Sequence, residues 1–229
     1  MIKRFRIKPS RTIPFIFQDS YLHLRFLSDF LREYSRKMER IYKILDFSCG
    51  DKPYFLFFKE KCNKYVGVDI YPGENVDTVI SDRINSLPFD DCEFDLIICT
   101  QVLEHIPDPF AVVREFYRIL KTNLKVIVSV PFCWEYHPTP KDYWRFTEDV
   151  LAYMFSPFRN VQIIPGSSSL ITIIHFLNFL FRDLLSSPFL KPIKWTIISL
   201  NNLIGLLLGN ILSKANRKLV SNCIVVAEK

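Results

Sequence analysis

The stretch ILDFSCGDKPY at residues 44–54 decides the fold class. It starts as a short apolar run of the kind found in buried strands and ends in a tight polar turn that contains Gly50. A second apolar run ends in Asp69, 23 residues after Asp46. An acidic residue at that separation is typical of β-α-β units in which a carboxylate accepts hydrogen bonds from ribose hydroxyls. The stretch therefore predicts an α/β sheet with its ligand site at the carboxyl edge.

Further apolar runs continue this pattern along the chain. A helical spacing over 110–120, opened by Asp108 and Pro109, separates two of these runs, and 54–61 is compatible with another helix. Alternating strands and helices predict parallel β-α-β units and an open sheet that is covered on both faces. The runs that we interpret as strands are 43–47, 65–70, 77–80, 94–100, 125–130, 160–165 and 223–227.

Composition excludes disordered and fibrous classes, because 49% of the 229 residues are hydrophobic and 15% are aromatic. We expect a basic segment with an amphipathic helix at 1–40 and a core at 41–169. A hydrophobic helical insertion is expected at 170–218, and a strand that completes the sheet at 219–229. The six cysteines include no CxxC pair and no spacing typical of a metal site, so we predict no metal, no disulfides and a cytoplasmic location.

Charge is distributed unevenly along the chain. The net charge is +6 over 1–40, −5 over 41–186 and +5 over 187–229. An acidic middle suits a cationic ligand, whereas the basic ends indicate either an anionic membrane surface or simply solvated faces. No run of Lys and Arg alternates with aromatics as in a nucleic-acid-binding module, so no nucleic-acid partner is expected.

Four stretches together resemble class I S-adenosylmethionine-dependent methyltransferases, in particular their small-molecule type-11-like group. The resemblance implies a Rossmann-like three-layer α/β/α sandwich with a seven-stranded, mostly parallel sheet. It also implies an antiparallel C-terminal edge, formed by 160–165 and 223–227. The stretches are ILDFSCGDKPY (44–54), YVGVDIYP (65–72), LPFDDCEFDLIICTQVLEHIPDP (87–109) and PFCWEYHPTPKDYWRFTEDVL (131–151).

The resemblance also implies which residues hold S-adenosylmethionine. The turn after the first strand passes around its methionine part, the end of the second strand binds the ribose, and two later strand ends border the adenine and the sulfonium. In that order, the residues are Asp46, Ser48, Cys49 and Gly50; Asp69 and Ile70; Asp82 and Arg83; and Thr100 and Gln101. The family usually has glycine at the position of Ser48 and often at that of Lys52, but Lys-Pro-Tyr at 52–54 does occur in this branch by resemblance, so Ser48 is the departure that bears on cofactor affinity. Turn formation or capping is the alternative role of Asp46 and Asp69.

Glu104, His105 and His137 are the candidate acid–base residues. A hydroxyl acceptor needs a base, histidine is suited to that near neutral pH, and either histidine could serve. A hydrogen-bonded Glu104–His105 pair that only fixes the loop before Pro107 is the alternative.

The aromatic loop 131–146 is the candidate acceptor site, with Trp134, Tyr143, Trp144 and Arg145 as its binding residues. Its aromatics suit sugar or ring faces, so we expect a small-molecule, glycan or lipid-linked acceptor. The alternative is that these side chains only pack on the sheet.

Two questions stay open at this point. The protein is interpreted as an enzyme, and the alternative is a non-catalytic relative that serves as a binding or membrane-docking module. The insertion is interpreted as an attachment to the cytoplasmic face of a membrane, and the alternative is a lid over the substrate pocket. Residues 195–212 are uncharged but contain three asparagines, which disfavours a membrane span. Gly205 and Gly209 have a spacing that suits close helix packing.

Overall fold

A computed structural model describes residues 9–81, 84, 86–138, 140–212 and 218–229. Its centre is a seven-stranded sheet with the strand order β3-β2-β1-β4-β5-β7-β6. The strands are β1 (Ile41–Phe47), β2 (Cys62–Asp69), β3 (Thr78–Val79), β4 (Phe94–Thr100), β5 (Leu120–Pro131), β6 (Arg159–Pro165) and β7 (Asn222–Glu228).

The first five strands are parallel, and the last two form an antiparallel edge. Asp46 of β1 pairs with Gly67 of β2 and with Ile98 of β4, so the ends of these strands lie side by side. In β7, Val225 pairs with Val128 of β5 on one side and Ile163 of β6 on the other, both antiparallel. The predicted sheet and its antiparallel edge are confirmed.

Helices cover both faces of this sheet. Residues of β1 and β4 alternate between two apolar cores, because successive side chains of a strand point to opposite faces. One core includes residues of α4 and α5, and the other includes residues of α2 and α3. The helices are α1 (Pro9–Thr12), α2 (Tyr21–Lys37), α3 (Phe55–Phe58), α4 (Pro109–Ile119), α5 (Glu148–Met154), α6 (Ser169–Leu184) and α7 (Lys191–Leu212).

Several predicted boundaries differ from the observed ones. Only Phe55–Phe58 of the possible helix 54–61 is helical, and the third strand is reduced to Thr78–Val79. Strand β5 begins at Leu120, five residues before the predicted start, because Leu120 pairs with Phe94 of β4. The start of α4 agrees closely with the prediction, since the Asp108 side chain accepts a hydrogen bond from the Ala111 backbone at 3.0 Å.

The insertion forms a helical hairpin, α6 and α7, which packs on α2. A Cβ atom on Gly205 would lie 2.6 Å from Leu22 of α2, and one on Gly209 would lie 2.5 Å from Ile171 of α6. The two glycines thus serve close packing of α7 within the chain. In the part of the chain that the structure describes, no helix combines the length and the apolarity of a membrane span.

Candidate active site

The loop that follows β1 has an unusual backbone for its sequence. Ser48, Gly50 and Lys52 all have positive φ angles, of 56°, 49° and 51°. Ser48 and Lys52 thus adopt the left-handed conformation that glycine tolerates best, at positions where the family usually (Ser48) or often (Lys52) has glycine. A Cβ atom on Gly50 would meet nothing within 4 Å, so the loop faces open space there. The backbone at Ser48 therefore has the conformation that glycine would adopt there, and it is strained because serine has a Cβ atom.

Asp69 ties this loop to the end of β2. Its Oδ2 accepts a hydrogen bond from the Gly50 backbone at 2.9 Å, and its Oδ1 accepts one from the Tyr71 backbone at 3.2 Å. The Cys49 backbone in turn donates to the Val68 carbonyl at 2.9 Å. Each carboxylate oxygen has two acceptor positions, so Asp69 retains capacity for a ligand.

A buried polar network lies beneath the loop. The Tyr65 hydroxyl donates to Oδ2 of Asp46 at 2.8 Å, and Asp46 is 3% exposed. Burial raises the pKa of Asp46 to about 7, against the opposing effects of the Tyr65 hydrogen bond and the Lys52 charge. The buried Lys52 ammonium forms an ion pair with Asp77, which also accepts the Gly67 backbone N–H at 2.8 Å. The Asp46 side chain is thus held by Tyr65 of β2, directly before the loop.

Sequence reasoning missed Tyr65, Lys52 and Asp77 as parts of this network. A Cβ atom on Gly67 would lie 2.2 Å from Cε of Lys52, so that glycine leaves room for the lysine stem. One signal was available: Tyr65, Gly67 and Asp69 alternate on β2 and therefore share one face of the strand.

The remaining predicted cofactor residues lie near the same edge or outside the described residues. Cys49 is buried, and burial raises the pKa of its thiol to about 12. Ile70 directly follows β2, and Thr100 ends β4. Gln101 follows with a positive φ of 54°, and its side chain donates to the Ser129 hydroxyl at 3.2 Å. Asp82 and Arg83 lie outside the residues that the structure describes.

Glu104 and His105 occupy a short 3₁₀ turn, Leu103–His105, just after β4. The Glu104 side chain is fully buried, and among the described residues its two carboxyl oxygens have no hydrogen-bond partner. Burial raises the pKa of Glu104 to about 8. Its Oε1 lies 3.8 Å from Nε2 of His105. A buried carboxyl group that is left without a partner is the kind of group that acid–base sites contain.

Both histidines are held through Nδ1. His105 Nδ1 hydrogen-bonds to the Lys141 carbonyl, and His137 Nδ1 hydrogen-bonds to the Glu135 carbonyl at 3.0 Å. A carbonyl only accepts, so each Nδ1 carries the proton, and the Nε2 of each neutral ring keeps its lone pair. The two rings are perpendicular, with centroids 5.0 Å apart. Burial lowers the pKa of His105, which favours its neutral form.

The structure therefore brings the three predicted acid–base residues together. One donor atom from each of Glu104, His105 and His137 lies within 4.8 Å of the others, a spacing that could also hold a metal ion. The sequence predicted no metal here, and that expectation stays a prediction.

The four predicted acceptor residues occupy different places in the loop 131–146. Trp144 donates its indole N–H to the Ile106 carbonyl at 3.0 Å and packs against the core. Arg145 forms two hydrogen bonds with the Asp142 carboxylate and donates to the Glu135 carbonyl at 2.8 Å. These two side chains brace the loop, whereas Tyr143 is exposed. Their roles toward an acceptor stay predictions.

Trp134 instead contacts the N-terminal helix and the insertion. Its ring lies 4.5 Å from the ring of His23 on α2 and 4.4 Å from that of His175 on α6, between centroids. Both histidines are buried, and burial lowers their pKa values to about 3 for His23 and about 4 for His175. Nothing in the sequence pattern linked these residues, because they come from three separate segments.

Arg182 fastens α6 to the same loop. Its two terminal nitrogens donate to the two carboxylate oxygens of Glu135, at 2.8 and 2.7 Å, and it also pairs with Asp19 at 3.4 Å. The hairpin therefore lies directly against the predicted acceptor loop. A separate groove of about 530 Å³ between α2 and the hairpin shares no residue with the predicted site.

The chain matches a known protein family. The model of the family described as "Methyltransferase domain" matches residues 19–163. A ubiquinone biosynthesis O-methyltransferase of Pseudomonas putida (strain W619) is 46% identical over 37 residues, which is 16% of each chain. The chain thus spans only a small part of that relative.

Solved structures show the same fold. An S-adenosylmethionine-dependent methyltransferase from Archaeoglobus fulgidus has a TM-score of 0.57 at 16% identity, over 89% of this chain and 93% of that one. A phosphoethanolamine N-methyltransferase 2 from Haemonchus contortus, solved with phosphomonomethylethanolamine and S-adenosylhomocysteine, also has a TM-score of 0.57. It is 14% identical, over 96% of this chain and 59% of that one. With more than half of the chain matched by the family model, the protein belongs to the methyltransferase domain family, and it has the fold of the S-adenosylmethionine-dependent methyltransferase from Archaeoglobus fulgidus.

Proposed function

We propose that the protein transfers a methyl group from S-adenosylmethionine to a hydroxyl group of a small-molecule, glycan or lipid-linked acceptor. The observation that carries this proposal is the orientation of His105. Its Nδ1 is fixed on the Lys141 carbonyl, which leaves a lone pair on Nε2 beside Glu104 and His137. A hydroxyl becomes a strong nucleophile only when a base takes its proton, and neutral imidazole suits that step. The O-methyltransferase named above supports an oxygen acceptor.

The residues at the edge of the sheet fit the cofactor. The open space at Gly50 leaves room beside the loop, and Asp69 retains acceptor positions for two ribose hydroxyls. The carboxylates at this edge suit a cationic sulfonium group. When bound, S-adenosylmethionine supplies an electrophilic methyl group for an in-line displacement. The chain's own contribution is then to hold the acceptor oxygen in line with that methyl group.

His105 is the proposed base. Its Nε2 would take the proton of the acceptor hydroxyl, and S-adenosylmethionine, held at the strand ends by Asp69 and the loop at Gly50, would supply the methyl group that replaces this proton on the oxygen. The resulting imidazolium lies 3.8 Å from the Glu104 carboxyl, and a positive charge at that distance favours the ionised form of Glu104. His137, whose Nε2 is also unprotonated in the neutral ring, is the second candidate for the same step.

The test is a comparison of His105→Ala with His137→Ala. Purified protein and S-adenosylmethionine are added to a cell extract, and mass spectrometry is used to find species that gain one CH2 unit. Turnover of such a species should fall sharply in His105→Ala, while calorimetric cofactor binding stays at the wild-type level, since the base acts on the acceptor. Because burial lowers the pKa of His105, the wild-type rate should hold at the ordinary histidine value of about 6.5 and decline only at lower pH, where the base becomes protonated. Equal turnover of His105→Ala and wild type from pH 6 to 9 would remove His105 from the mechanism.

A further inference from the structure

The packing of the α6–α7 hairpin defines which of its faces points inward. The Asn178 side chain donates to that of Asn202 at 2.9 Å, and Asn202 donates to the carbonyls of Ile16 and Gln18 at 2.6 and 2.9 Å. Both asparagines are fully buried. These two buried amides therefore hold the hairpin against the N-terminal segment and are not available to an external partner.

The opposite face of the hairpin is apolar and exposed. On α6 its residues recur at the spacing of one helix face, and on α7 they follow a similar stripe. Each of these side chains is between 39% and 65% exposed. We call this surface the outer face; it consists of Ile173, Leu177, Leu180, Leu184, Ile193, Leu200, Leu203, Ile204, Leu207 and Leu208. An apolar surface of this kind on a folded chain marks an interaction site.

Exposed aromatics lie at one end of the hairpin. The rings of Phe15 and Phe17 stack at 5.3 Å, and the Phe17 ring lies 5.5 Å from that of Trp195, at the start of α7. Phe189, in the turn before α7, is 92% exposed. Phe and Trp beside an apolar stripe are typical of helices that lie in the interface of a bilayer.

Basic residues predominate along the sequence of the hairpin and its flanks, and Asp183 of α6 is the exposed acidic residue beside the outer face. Between Asp183 and Glu228 the sequence contains five Lys or Arg residues and no acidic residue. Lys191 and Lys194 lie in the first turn of α7, next to the exposed aromatics. An apolar face bordered by cations complements a surface that is both apolar and anionic, and a bilayer that contains anionic lipids has that combination.

We propose that the outer face docks on an anionic lipid bilayer, with Phe15, Phe17, Phe189 and Trp195 in its interface. Because Arg182 and His175 connect the inner side of α6 to Glu135 and Trp134, docking by the outer face would hold the acceptor loop one helix diameter, about 10 Å, from the bilayer. A lipid-linked acceptor is then the class that the enzyme meets there, a step that rests on the proposed function. A second copy of the chain is the competing occupant of this face.

Flotation with lipid vesicles tests the docking. Full-length protein is mixed with vesicles of phosphatidylcholine alone or with added phosphatidylserine, and the floated fraction is measured. Wild type should float with the anionic vesicles, less at high salt and least with phosphatidylcholine alone. The double variant Leu180→Glu/Leu207→Glu changes two exposed side chains and should float at least tenfold less. Tyr153→Glu, which alters a side chain that is 73% exposed on α5, is the matched control and should float like wild type.

Two outcomes overturn the docking. One is wild-type protein that ignores anionic vesicles while it binds S-adenosylhomocysteine normally, which leaves the proposed methyl transfer intact. The other is a dimer in solution that the double variant abolishes while neither protein floats, which assigns the outer face to self-association. Conversely, His105→Ala should float with anionic vesicles as wild type does. A loss of methyl transfer in that variant therefore tests the proposed function and not the docking.

Discussion

Arg182 of α6 and Glu135 of the acceptor loop form a two-point ion pair, with both donor–acceptor distances below 3 Å, although 47 residues separate them. The pair joins the insertion to the loop that the sequence marks for acceptor recognition. The two interpretations of the insertion, a cover for the site and a membrane attachment, therefore apply to different faces of one hairpin. Its inner face contacts the loop, and its outer face is exposed in the part of the chain that the structure describes.

A double-mutant cycle with Arg182→Gln and Glu135→Gln should give a coupling energy of about 1 kcal/mol in thermal or urea unfolding, since two-point pairs exceed simple surface pairs. The coupling should shrink as salt increases. The matched cycle uses Asp183→Asn, which removes the exposed partner of Arg182 and should show no measurable coupling. Equal coupling in the two cycles would show that the Glu135 contact does not fasten the hairpin.

Ser48→Gly should stabilise the protein by about 0.5 to 1 kcal/mol, because glycine relieves the left-handed strain but loses more entropy on folding. Ser48→Ala retains a Cβ atom and should give no such gain. Lys52→Gly should be destabilising despite its similar φ angle, since it removes the buried Lys52 stem and its ion pair with the half-exposed Asp77. Urea unfolding of the three variants checks the order, and a destabilised Ser48→Gly would contradict the account of this loop.

Stability should fall as the pH drops below about 6.5, because His23 and His175 bind protons in the unfolded chain before they do so in the fold. Their folded-state pKa values are about 3 for His23 and about 4 for His175, so stability continues to fall from pH 6.5 down to these values. At pH 5 each histidine should contribute a loss of about 2 kcal/mol. In His23→Gln the drop in melting temperature between pH 7.5 and 5 should be smaller than in wild type; an unchanged drop would show that this group does not titrate on unfolding.

The fold was predictable because its signals are local. Apolar runs with polar ends indicate β1, β2 and β4. Asp108 and Pro109 indicate the start of α4, as its N-cap and first residue. The early start of β5 was not predictable from the sequence. Its first residues form no apolar run, and Asn123 among them has a positive φ of 64°. This part of the strand depends on the pairing of Leu120 with Phe94 of β4.

The positions of the candidate residues at strand ends were predictable from the sequence, but their contacts were not. That His105 is an Nδ1–H tautomer depends on the Lys141 carbonyl, 36 residues away, and no local pattern records that contact. The same holds for Trp134, whose neighbours His23 and His175 come from segments that only the tertiary fold brings together.

Calorimetric titration with S-adenosylhomocysteine tests the central claim most directly, because it asks whether the edge of the sheet built around Asp69 holds the cofactor. Wild type should bind one molecule per chain. Asp69→Ala removes the proposed acceptor of two ribose hydrogen bonds and should weaken binding by at least about 100-fold. Asp69→Asn keeps one acceptor oxygen, and its affinity should lie between those of wild type and Asp69→Ala. Melting temperatures confirm that the variants are folded. A wild type that binds nothing would favour the non-catalytic interpretation, and an Asp69→Ala variant that binds as tightly as wild type would contradict the assignment of the site.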